Sequence, residues 1–111
     1  MEILNKYNEI LDEKAELHRA AAAKALEQKD QRTHSIELMQ AGMLGDMLKQ
    51  IGMVEHKKIR PGLMQKTVDL FKNKEKECLE RDDFDQADRN RIQGETVQFA
   101  LDTLRKLEAE Q

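Results

Sequence analysis

Apolar residues recur at steps of three and four along most of the chain, the spacing that places them on one face of an α-helix. Between residues 2 and about 30 there is no Gly or Pro, and Ile3, Tyr7, Ile10, Leu11, Leu17, Ala21, Ala22 and Ala25 form a single stripe. A helix of that span would be about 42 Å long, more than one small compact domain needs. The polar run Asp30-Gln31-Arg32-Thr33 either breaks the helix, with Asp30 or Thr33 as a cap, or continues it. From Ile36 the periodicity resumes through Met39, Met43, Met47 and Ile51, flanked by Leu44 and Leu48, and Gly52 suits the position just past a helix end.

Arg60-Pro61-Gly62 is the strongest breaker in the chain, and Pro61 suits the first position of a helix running to about Glu80. Met64, Thr67, Val68, Phe71 and Cys78 are its expected inward residues. Arg81-Asp82-Asp83 predicts a turn, with Asp82 as the cap of a last helix and Asp83 and Asp85 favoured by its dipole. That helix carries Phe84, Ala87, Val97, Ala100, Leu101, Leu104 and Leu107 on one face, with Gly94 near the stripe. The pattern predicts an all-α fold: a single helical domain over residues 1–111, with three to four amphipathic helices at about 2–30, 34–51, 61–80 and 83–109. The N-terminal helix is the longest, and the short connections near 30–34 and 81–83 make their flanking helices antiparallel neighbours.

Composition sharpens this picture. Leu, Ile, Val and Phe supply roughly 22% of the 111 residues, while 37% are charged against about 25% in ordinary domains. The scarcity of Gly, Pro, aromatic and β-branched residues excludes a sandwich or barrel. So little apolar area on helices this long predicts a homodimer or a stable hetero-complex, with the first helix as the self-association face. The run Ala20-Ala21-Ala22-Ala23 would let another backbone approach closely there.

Candidate chemistry is sparse. Di-iron bundles require Glu-x-x-His pairs, and the nearest approaches are the reversed His34-x-x-Glu37 and the misaligned Glu16-x-His18. The only serine, Ser35, directly follows His34, so the two side chains do not face one another on a helix. Cys78 reads as a buried structural thiol, and a single cysteine excludes a disulfide framework. No glycine-rich turn between strand and helix is present to cradle a phosphate. The expectation is a protein that is not an enzyme, with no cofactor and no metal site.

Charge decides among partners. Net charge is −3, with the signs interspersed, which disfavours nucleic acid as a partner because phosphate neutralisation needs a basic excess. The densest basic patch is His56-Lys57-Lys58-Ile59-Arg60. Residues 44–53 imitate the start of a helix-turn-helix, but Pro61 would fall within its recognition helix. The start of the chain lacks the pattern of a secretory signal, and no apolar run is long enough for a membrane span. With an unpaired Cys78, the expected location is the cytoplasm.

Six methionines are an enrichment, and Met39, Met43 and Met47 share a helix face beside Gly42 and Gly45. Methionine adapts its shape to varied partners, and helix glycines often permit close contact, so these five residues are the expected protein-binding set. Either they fill an irregular core or they form a partner groove.

Residues 76–92 resemble the helical hairpin called the UVR motif in bacterial excision-repair proteins, through Asp83, Phe84, Ala87, Arg89 and Arg91. Asn90 departs from the motif, which has an apolar residue there. A similar Asp-Phe-x-x-Ala-Asp stretch occurs in the C-terminal region of cysteinyl-tRNA synthetases. The resemblance covers about a sixth of the chain. It implies a hairpin turn sealed by Phe84 and Ala87 and capped by aspartate, of a kind that mediates protein–protein contact. The leading expectation is therefore a small non-enzymatic interaction module, an adaptor, regulator or inhibitor. The alternative is an accessory factor of a nucleic-acid-processing complex, with Lys57, Lys58, Arg60, Arg89 and Arg91 contacting phosphates.

Overall fold

The computed structural model describes residues 2–51 and 61–110. Four helices follow in order: α1 (Glu2–Glu27), α2 (Gln31–Ile51), α3 (Pro61–Glu80) and α4 (Phe84–Ala109). No strand occurs among the described residues, and the fold is all-α with a long N-terminal helix. Helices pack pairwise, α1 on α2 and α3 on α4, and the chain divides into two compact units, Met1–Ile59 and Arg60–Gln111.

Each pair turns on the same device. Lys29 and Asp82 take left-handed backbone conformations, with φ of 59° and 60°. In the first turn the Asp30 N–H donates to Ala25 O (2.8 Å) and the Lys29 N–H to Leu26 O (3.0 Å). In the second the Asp83 N–H donates to Cys78 O (2.8 Å) and the Asp82 N–H to Leu79 O (3.1 Å). These crossed bonds satisfy the last carbonyls of the outgoing helix, the Schellman arrangement.

The next residue then starts the returning helix. The Asp30 carboxylate accepts from the Thr33 N–H (3.1 Å) and hydroxyl (2.7 Å), and the Asp83 carboxylate accepts from the Gln86 N–H (3.2 Å). The cap of α4 is thus Asp83, not Asp82 as the sequence suggested. Asp82 is consumed by the left-handed position, which aspartate tolerates better than most residues. The first helix stops at Glu27, short of residue 30, for the same reason at Lys29.

In the first hairpin, Tyr7, Leu11, Ala15, Ala22 and Ala25 of α1 are buried, as are Ile36, Ala41 and Leu44 of α2. Burial of the Tyr7 phenol pushes its pKa up to about 12, because the ionised form would lose its hydration. Two polar contacts cross between the helices and fix their antiparallel register: His18 to Glu37 and His34 to Ala22 O. Leu17, expected on the inward stripe, is 66% exposed. Ala15 takes the inward position, and Leu17 lies about 200° further round the helix.

The second hairpin buries Val68 and Cys78 of α3 and Ala87, Asn90, Gly94, Val97, Leu101 and Leu104 of α4. A Cβ on Gly94 would lie 3.2 Å from Phe71 Cβ and 3.9 Å from Val68 O, so close approach of the two helices depends on this glycine. Thr67 faces solvent instead of the core, its hydroxyl donating to Leu63 O (3.1 Å). Ala87 seals the turn, but Phe84 is 62% exposed and does not. As the first residue of α4, it projects from the hairpin tip.

Candidate interaction surfaces

The five residues expected to bind a partner lie on α2 in two different settings. Met39, Met43 and Met47 line one edge of its buried face, each half-buried. Gly42 is exposed with nothing within 4 Å of a Cβ built on it, and the nearest group to such an atom at Gly45 is the Arg19 guanidinium at 4.0 Å. Neither glycine brings another helix of the described chain close. That role belongs to Gly94, because close packing is a property of the pair of helices and not of one pattern.

The expected phosphate contacts divide likewise. Lys57, Lys58 and Arg60 lie outside the described residues. Arg89 reaches the Asp85 carboxylate one turn away (3.2 Å), and Arg91 reaches Glu95 (3.0 Å) and Asp88 (3.8 Å). Both guanidinium groups are held by carboxylates of their own helix, which would compete with any phosphate.

Several polar groups inside the hairpins are engaged structurally. His18 Nδ1 stands 2.5 Å from Glu37 Oε2, with both side chains mostly buried. This joins halves of two spacings that looked unproductive in sequence, and only the fold brings them together. His34 Nδ1 is 2.8 Å from Ala22 O, so it must be the protonated nitrogen, since a carbonyl only accepts. The Cys78 sulfur is buried and accepts from Asn90 Nδ2 and Arg81 Nη2, each at 3.5 Å. Among the described residues, no group of three or more His, Cys, Asp or Glu side chains could hold a metal ion. A groove of about 180 Å³ beside the α3–α4 contact is lined by Val68, Lys72, Glu75, Asn90, Gly94 and Gln98, among others, with both charge signs on its walls.

What the sequence pattern missed is a set of exposed large apolar side chains. Leu17, Leu26 and Leu38 in the first hairpin and Leu63, Leu70, Leu79 and Phe84 in the second are each 47–66% exposed. All of them except Leu17 and Phe84 are legible in the sequence as apolar residues out of phase with the stripes. No helix among the described residues is long and apolar enough to cross a membrane. No protein-family model, curated protein or solved structure matches this chain.

Proposed function

We propose that the chain is a non-enzymatic protein–protein interaction module, an adaptor, regulator or inhibitor that works in the cytoplasm by covering a partner's surface with its helical faces, as a dimer. The observation that carries this reading is the display of leucines on otherwise charged outer faces, led by Leu17 and Leu26 at 66% and 56% exposure. Fully burying one such side chain is worth about 1.5–3 kcal/mol, so a few of them supply a useful contact. The half-buried edge of Met39, Met43 and Met47, beside Gly42 and Gly45, offers an adaptable second surface.

The test is crosslinking capture from the native cell, comparing the natural chain with the Met43→Glu variant and the Leu17→Glu variant. A partner retained by the natural chain and lost with either variant supports the reading. Identical capture profiles for all three chains count against it.

A second reading makes the chain an accessory factor of a nucleic-acid-processing complex. It draws on the hairpin turn at Arg81-Asp82-Asp83, where the UVR-like stretch 76–92 reverses direction. Phosphate contact would fall to Lys57, Lys58, Arg60, Arg89 and Arg91, and binding to DNA or RNA that weakens steeply with salt would favour it. The carboxylates already holding Arg89 and Arg91 and the net charge of −3 weigh toward the first reading.

A further inference from the structure

The two hairpins reverse through the same turn, so their tips compare position by position, residues 26–33 in the first against 79–86 in the second. Both tips begin on an exposed leucine, Leu26 and Leu79. They then differ in two ways. Where the first returning helix starts on Gln31, the second starts on Phe84, which is mostly exposed. The first tip is neutral, with Glu27 and Asp30 against Lys29 and Arg32, whereas the second is acidic, with Glu80, Asp82, Asp83 and Asp85 against Arg81 alone.

The surroundings leave that negative charge outward. Arg81 turns its guanidinium back to the Cys78 sulfur (3.5 Å), within the hairpin's own packing. Arg89 takes one carboxylate of the tip, Asp85 (3.2 Å), whose side chain stays 61% exposed. Asp83 is engaged by the Gln86 N–H (3.2 Å), and Glu80 and Asp82 are exposed. The backbone N–H groups of Arg81, Asp82 and Asp83 are bonded to the last carbonyls of α3, which fixes the shape of the tip. A surface fixed in advance loses little freedom on docking.

Charge then selects what this apolar projection meets. Nucleic acid and anionic lipid both bind cationic faces, and this tip repels them. A neutral apolar surface would take Leu26 as readily as Leu79. Complementarity points to a protein surface with an apolar hollow for the ring and cations around it.

We infer that the 79–86 tip docks, Phe84 foremost, into an apolar hollow rimmed by lysine and arginine on a protein partner. The inference rests on the interaction-module reading and adds to it a site apart from Leu17 and the methionine edge.

Replacing Phe84 by its benzophenone analogue in the full chain places a photocrosslinker at the tip, and the same analogue at Gln31 is the matched control. Irradiation in an extract of the native cell, followed by peptide mapping, reads the captured protein and the residues around the new bond. The expected result is an adduct from position 84 and none from position 31, on an apolar stretch flanked by lysine or arginine. Glu80→Gln combined with Asp82→Asn, both outside the cap, should lower the yield at least about fivefold, as should about 0.5 M salt. Unlabelled natural chain should compete for the adduct, and the Phe84→Ala chain at least about tenfold less well. Circular dichroism verifies that each variant keeps its helical content.

Equal adducts from both positions, an adduct on an acidic or uncharged surface, a second copy as the captured protein, or no adduct at all overturns the inference. So does a yield that the charge changes leave untouched. Where capture that depends on Leu17 or Met43 persists in such a case, the interaction-module reading stands. Where that capture is absent too, both fall.

Discussion

Gly94 of α4 faces Phe71 of α3 so closely that a Cβ added to the glycine would stand 3.2 Å from the phenylalanine Cβ. The obstructing atom is fixed to the backbone of α3, so relief requires the helices to part. Crowding of this kind costs about 1–3 kcal/mol, against about 1 kcal/mol gained from the better helix propensity of alanine. Gly94→Ala should therefore destabilise by about 1 kcal/mol, whereas Gly42→Ala, with open space around it, should stabilise by about 0.5–1 kcal/mol. Urea unfolding of both variants measures the contrast, and an equal gain at the two sites would contradict the close approach.

Lys29 holds a left-handed conformation with φ of 59°, which costs an L-residue about 1–2 kcal/mol and glycine very little. Part of that gain is lost because glycine makes the unfolded chain more flexible. Lys29→Gly should raise stability by about 0.5–1 kcal/mol, and Asp82→Gly by less, since aspartate is better suited to the position. Thermal unfolding of the two variants side by side reads the difference.

Asp30 links the first turn to acid stability. The Thr33 hydroxyl and then the Thr33 N–H, both bonded to its carboxylate, hold its pKa below the usual value, with a smaller contribution from the Arg32 charge. The folded state thus favours the ionised form. Its contribution is fully present above the ordinary carboxylate pKa and is lost as pH falls through the lowered one. Asp30→Asn should flatten the loss of stability between about pH 5 and pH 2, measured as urea midpoints across that range. An unchanged slope would show that the carboxylate does not cap α2 in solution.

At the alkaline end the sign reverses. Tyr7 is the only tyrosine, and burial raises its pKa to about 12 from an ordinary value of 10. The unfolded chain therefore releases the phenolic proton first, so stability should fall as pH rises through and above 10. With no tryptophan in the chain, the phenolate absorbance band reports this group alone. Titration near 10 in the folded protein would mean that the ring is not sequestered against α2.

The single cysteine makes the second hairpin its own reporter. Cys78 is 3% exposed, with Asn90 and Arg81 at its sulfur. An aromatic disulfide reagent should label it at a rate set by the opening of α3 from α4, rising in parallel with denaturant. Gly94→Ala should accelerate the labelling about fivefold, as expected for about 1 kcal/mol of lost stability. Labelling as fast as in the unfolded chain would show that Cys78 is not packed.

Much of the backbone was legible from the pattern of residues. Approximate helix ranges, the helix start at Pro61 and the reversal at Asp82-Asp83 follow from rules that act within a few residues, whereas the run at 30–33 leaves open whether the first helix continues. The details that failed were of another kind. Leu17 and Phe84 were assigned inward because they are large and apolar, yet Ala15 and Ala87 occupy the inward positions. The sequence points to Asp82 as the cap of α4, but Asp82 takes the left-handed position and the cap falls to Asp83.

The candidate surfaces divide in the same way. The methionine edge of α2 could be named from spacing, but its half-buried state depends on where α1 lies against it. The link between His18 and Glu37 joins residues 19 apart, and no local rule connects them. That the two hairpins share one turn was hidden because few side chains repeat from one to the other, while the hydrogen bonds that build it belong to the backbone. Sequence determined where this chain is helical and where it turns, because capping and periodicity are short-range. Tertiary packing decided which face is inside, which glycine matters and which leucines remain outside, because those depend on the distance between two helices.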